Sequence, residues 1–147
     1  GNEDGLLSAV FHHYGKVFRK RLILLLAKQE DFKNSMNELS FFMSYLRDPN
    51  TMPKGCLGVK SWNSLSSLGP KSRIELVANS NKLLKIFEDW LERSSKKGFL
   101  NDEYSNKFSA EYVHSMFNHG MRMNGNGESP ERIKRVMTLA LSPLVSD

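Results

Sequence analysis

Apolar positions along this chain recur at steps of three and four residues, and stretches with that spacing are separated by short polar breaks. The first stretch carries Leu6, Leu7, Val10, Phe11, Tyr14, Val17, Phe18, Leu22 and Leu25, which predicts one helix from about Glu3 to Lys28. Asn2 can cap it, Glu3 and Asp4 suit the positive end of its dipole, and Gly5 and Gly15 weaken it slightly. A second helix is predicted over Phe32 to Arg47, capped by Asp31 and buried through Phe32, Met36, Leu39, Phe42, Met43 and Leu46. Asp48-Pro49 and Met52-Pro53 end it, because proline disfavours helical geometry in the residue before it. A short helix follows over Gly55 to Leu68, with Cys56, Val59, Trp62 and Leu65.

Gly69-Pro70 reads as a stop and a start, since proline suits a first helical position. The next helix runs to about Lys97 with Ile74, Val77, Leu84, Phe87 and Leu91 on one face, widened by Leu76, Leu83 and Trp90. Lys96-Lys97-Gly98 is a good C-terminal ending. A fifth helix is predicted over Asn106 to Met123, then a loop at Asn124 to Glu128. Ser129-Pro130-Glu131 opens the last helix, which carries Ile133, Val136, Met137, Ala140, Leu141 and Leu144 to about Val145. No stretch alternates as a strand would, so the expected class is all-α: a bundle of about six helices.

Composition narrows this further. With 147 residues the chain fits one domain and can form a sizeable core. Hydrophobic residues at 39% and charged residues at 25% suit a folded, soluble protein rather than a disordered one. The longest apolar run, Leu22 to Ala27, is too short to span a membrane, and the polar start shows no signal peptide. A single cysteine, Cys56, suits a reducing compartment and precludes an internal disulfide. The net charge of +5 permits nucleic-acid binding, with Lys16, Arg19, Lys20 and Arg21 as the candidate patch. The spread of acids among the bases equally suits solvated helix faces.

The sequence offers little for catalysis. It has no glycine-rich phosphate loop, no G-x-S-x-G elbow and no pairing of nucleophile with base at a defined spacing, so an enzyme is not expected. His12 and His13 are adjacent and point apart on a helix, and His114 and His119 are poorly spaced for chelation, so no metal is expected either. No cofactor is called for.

Three stretches carry a resemblance. Gly1-Asn2-Glu3-Asp4-Gly5-Leu6-Leu7 resembles the "sKeeLl" segment that opens the fourth helix of TetR-type (tetracycline-repressor family) transcriptional regulators. Pro53-Lys54-Gly55-Cys56-Leu57-Gly58-Val59 resembles the "GCLlvn" segment of one branch of that family. Lys97-Gly98-Phe99-Leu100 resembles its "eGel" turn before the penultimate helix. The likeness spans nearly the whole chain and covers the family's C-terminal ligand-binding and dimerisation domain. The family's N-terminal helix-turn-helix head is absent from these residues, so the chain is expected to be the regulatory portion of a longer protein.

The resemblance implies a cytoplasmic homodimer that binds a small, largely apolar effector and controls DNA binding, as a repressor, through the missing head. The effector is expected among the first four helices, at Phe11, Tyr14, Phe18, Phe42, Tyr45, Cys56, Trp62, Phe87 and Trp90. The same aromatics suit plain core packing. Cys56 is read two ways: as a sensor of oxidants or electrophiles, as in some members of this branch, or as an inert packed thiol. The dimer is expected through the last two helices, at Tyr112, Met116, Phe117, Gly120, Ile133, Val136, Met137, Ala140 and Leu141. Those stripes also suit an intramolecular core. The alternative to the regulator is a helical protein-interaction module without DNA-binding function.

Overall fold

The structure is a computed structural model and describes residues 2–28, 31–44 and 57–146. Among these residues six α-helices follow one another: α1 (Asn2–Ala27), α2 (Phe32–Ser44), α3 (Leu57–Trp62), α4 (Pro70–Lys96), α5 (Asn106–Gly125) and α6 (Pro130–Leu141). Two single 3-10 turns, Leu65–Ser67 and Ser142–Leu144, complete the regular structure. The described residues form no strand, and the class is all-α, as the periodicity predicts. The nearest approach to sheet is one antiparallel bridge between Leu100 and Val145, which ties the α4–α5 connection to the C-terminal segment.

Most helix ends follow local chemistry. Asp31 Oδ1 accepts from the Asn34 amide at 2.7 Å, Ser105 Oγ from Phe108 at 3.1 Å and Ser129 Oγ from Arg132 at 3.2 Å. Each satisfies a first-turn donor that has no partner within its own helix. Gly98 closes α4 with φ +76°, letting the Phe99 amide donate back to the Ser94 carbonyl at 3.1 Å. Three boundaries depart from the predicted ones, the simplest being that of the fifth helix, which runs on to Gly125, two residues into the expected loop. The third helix divides after Trp62, where Ser64 and Ser67 bond back only three residues, to Ser61 and Ser64. Its serine-rich sequence competes with the α-helical ladder. The last helix stops at Leu141 because Pro143 has no N–H for the Leu139 carbonyl; the Ser142 hydroxyl donates to it instead at 2.9 Å.

α1 and α4 lie side by side in the same direction, since Asp4 meets Ser72, His12 meets Glu75 and Arg19 meets Asn79. α4 also packs on α5, α5 on α6, and α6 on α2. The core gathers Leu22 and Leu26 of α1, Phe32, Leu39 and Met43 of α2, and Phe87, Trp90 and Leu91 of α4 with Phe117, Met121, Ile133, Met137 and Leu141. Each such buried side chain contributes about 1.5–3 kcal/mol relative to exposure. The buried faces of the two long helices differ from the predicted stripes. Leu6, Val10 and Val17 of α1 and Ile74 and Val77 of α4 are exposed, Leu6 and Ile74 by 68% and 70%. Ser72 and Leu76 of α4 are buried in their place, with Asn79 and Leu83 half-buried one and two turns on. Polar side chains occupy that inner row because they bond across to α1.

Candidate ligand cavity

The inner row of α1 opens onto a cavity of about 270 Å³ enclosed by α1, α3, α4 and α5. Phe11, Tyr14 and Phe18 reach it at successive turns of α1, and Phe117 faces them from α5. Phe18 stacks on Tyr14 at 6.2 Å and meets Phe117 edge-on at 5.8 Å. Trp62 of α3 stands at the rim, 44% exposed. Leu76 and Leu83 of α4 complete the apolar lining.

Polar groups share the walls. Asn79 and Ser80 come from α4, and His114, Asn118 and Arg122 project at four-residue steps from α5. Arg19 follows Phe18 on α1. Its Nη1 donates to Asn79 Oδ1 at 2.6 Å, while Asn79 Nδ2 donates to the Phe11 carbonyl at 2.9 Å. This bridge needs Gly15: a Cβ there would stand 2.6 Å from the Asn79 amide. The glycine that weakens α1 locally thus makes room for a side chain of α4. Burial pushes the Arg19 guanidinium below its usual pKa, and the charge of Glu75 opposes that shift. Burial likewise pushes the His114 imidazole down, favouring its neutral form.

The leading end of α1 is held by a second polar contact. Gly69 precedes α4 and offers no side-chain cap of its own. Asp4 supplies one: its carboxylate accepts from the Lys71 and Ser72 amides at 3.0 and 2.9 Å and from the Ser72 hydroxyl. Those bonds, led by the Ser72 hydroxyl, hold the Asp4 carboxyl below the usual carboxylate range.

The nine residues expected at an effector site do not all meet here. Phe11, Tyr14, Phe18 and Trp62 line the cavity. Phe42 stands behind it, edge-on to Phe18 at 5.4 Å with the Arg21 guanidinium over its ring. Phe87 and Trp90 are fully buried in the core, Trp90 stacked on Phe32 at 4.9 Å. Tyr45 and Cys56 lie outside the described residues. The second helix supplies no wall because it packs on α6; α5 takes its place.

The expected dimer residues separate as well. Gly120, Ile133, Met137 and Leu141 are buried within the chain, and Phe117 lines the cavity. Gly120 admits the sulfur atoms of Met43 and Met137, which would stand 2.7 and 3.1 Å from a Cβ. Tyr112, Met116, Val136 and Ala140 are half-buried, and the Tyr112 hydroxyl donates to the Ala140 carbonyl, joining α5 to α6. The outward side of that pair shows Phe108 and Leu139, exposed by 53% and 76%.

Residues that the sequence reading passed over are mostly the polar lining: Asn79, Ser80, Asn118 and Arg122. Asn118 and Arg122 follow His114 on one face of α5, beside Phe117, a polar row that the apolar periodicity hides. The arrangement offers aromatic faces, amide groups and two guanidiniums. Among the described residues no group of three His, Cys, Asp or Glu side chains could hold a metal ion, and no helix is long and apolar enough to cross a membrane.

A helical frame with a cavity against its leading helix has a counterpart among solved structures. It is similar to the crystal structure of E. coli NemR in its reduced form, with a TM-score of 0.77 over 97% of this chain and 74% of that one. At 15% sequence identity the likeness defines the fold. No protein-family model and no curated protein matches the chain by sequence.

Proposed function

We propose that this chain is the effector-binding and dimerisation domain of a TetR-type transcriptional repressor, with no catalytic activity of its own. The observation that carries the proposal is the position of the cavity. It is walled by α1 from Phe11 to Arg19, and the same helix is fastened to α4 at its leading end by Asp4. A guest between α1, α4 and α5 touches the helix that leads toward a helix-turn-helix head. A ligand that prefers one pose of α1 shifts the population toward that pose. Two heads on a symmetric dimer must match half-sites about 34–36 Å apart, so a small tilt of α1 weakens operator binding.

In this proposal the two chains pair about a two-fold axis through the outward side of α5 and α6. Phe108 and Leu139 stand at its centre, beside the half-buried Tyr112, Met116, Val136 and Ala140. Light scattering on the isolated chain tests this. The expected mass is twice 16.8 kDa, falling to the single-chain mass in Leu139→Glu. A wild-type monomer at micromolar concentration would remove the regulator reading. The exposed Phe108 and Leu139 would then favour a helical module that docks a partner of another kind.

A further inference from the structure

We infer that the ligand of this cavity is a small organic anion: an apolar body of one or two rings bearing one carboxylate-like group. This rests on the cavity being the effector site. Among the described residues two guanidiniums, Arg19 and Arg122, belong to its lining, and no Asp or Glu does.

Arg19 is half-buried, and its guanidinium donates to an uncharged partner, Asn79 Oδ1. The amide is oriented by its own bond to the Phe11 carbonyl and admitted by Gly15. Asn79 therefore aims the guanidinium without neutralising it, and leaves most of its five N–H donors for another acceptor. Glu75, the acid whose field reaches Arg19, lies outside the lining and bonds His12 Nδ1 at 2.9 Å. Arg122 makes no hydrogen bond or ion pair through its side chain among the described residues. His114, also in the wall, is shifted by burial toward its neutral form and adds no negative charge.

A half-buried cation without a charged partner is destabilising, and a bound anion offsets that cost with charge-assisted hydrogen bonds. The planar fork of arginine suits a carboxylate in particular. Phe11, Tyr14, Phe18 and Phe117 supply faces for an aromatic body. At about 270 Å³ the space lies just under the range of drug-sized sites, which limits that body to one or two rings.

Calorimetry on the intact chain with naphthoate, naphthamide and naphthylmethylammonium tests the inference. Naphthoate is expected to bind about tenfold more tightly than naphthamide, and the ammonium compound least. Arg122→Gln, on an exposed side chain, and Arg19→Gln should each shrink the ratio of naphthoate to naphthamide affinity. Naphthamide binding as tightly as naphthoate, or a preference that survives both substitutions, overturns the anion while the cavity stands as a ligand site. Failure of all three probes, with tryptophan fluorescence unmoved, removes the ligand site itself.

Discussion

The chain has two tryptophans, and they stand in regions built on different terms. Trp90 lies in the solid region, where α2, α4, α5 and α6 close around Phe32, Leu39, Met43, Ile133 and Met137 with almost no exposed area. Even the buried polar Asn124 is engaged there, donating to the Met43 carbonyl at 3.0 Å. Trp62 lies in the hollow region, at the rim of a cavity beside which α1 and α4 are joined by polar bridges. Close packing makes the first region a rigid base, because a dense interior resists deformation. The second region adds discrete polar side-chain links around an unfilled space. That difference places the adjustable part of the molecule along α1.

The largest effect that would test this contrast comes from Trp90→Ala. Removing a fully buried indole stacked on Phe32 should cost about 3–5 kcal/mol in denaturant unfolding. A cost near zero would show that the base is not tightly packed. Asp4→Ala should have a smaller effect, a lower melting temperature at pH 7 from the lost cap on α4. The sign with pH follows from the shift. The folded carboxyl is held below its ordinary 3.8, so its stabilisation is present above that pH and fades as pH falls through the folded value. Wild type and Asp4→Ala should therefore converge in acid melts, and a constant difference would mean that the contact is not the source.

His114 sharpens the comparison from inside the cavity. Its folded pKa lies below the ordinary 6.5, so the unfolded chain takes up the proton first as pH drops. Stability should decline below pH 6.5, and His114→Gln should flatten that part of the profile. An unchanged slope would place the proton uptake elsewhere. The smallest expected stability change is that of Trp62→Ala, below about 1 kcal/mol, since the side chain is 44% exposed. The same substitution should weaken naphthoate binding measurably by calorimetry. A large stability loss there would make the hollow region as tightly packed as the base.

Features written in neighbouring residues were legible in the sequence. Ser129-Pro130, Gly98 and Asp31 mark helix ends through bonds within a few residues, and the structure places ends beside all three. The inward face of α1 was not legible, because this helix carries leucines, valines and isoleucine on several sides. Ile23 and Leu24 are half exposed while Arg19 faces the cavity. Which row turns inward is decided by Asp4, Gly15 and Arg19 meeting partners on α4 that lie some sixty residues away in sequence. The same holds for the cavity walls. Phe87 and Trp90 satisfy an aromatic criterion as well as Phe11 does, and only tertiary packing, Trp90 on Phe32 of α2 and Phe87 on Phe117 of α5, puts them in the core. Asn79 and Asn118 carry no local mark at all.

The Asp4 contact also bears on how the chain assembles. The acceptor for the first free amides of α4 sits 68 positions earlier, so the first turn of α4 remains uncapped until a long stretch of backbone has come full circle. The entropic cost of such a closure rises only slowly with its length, by about 0.6 kcal/mol per doubling. The length of the connections between these helices therefore matters little to the contact, so long as α2 keeps its place in the core.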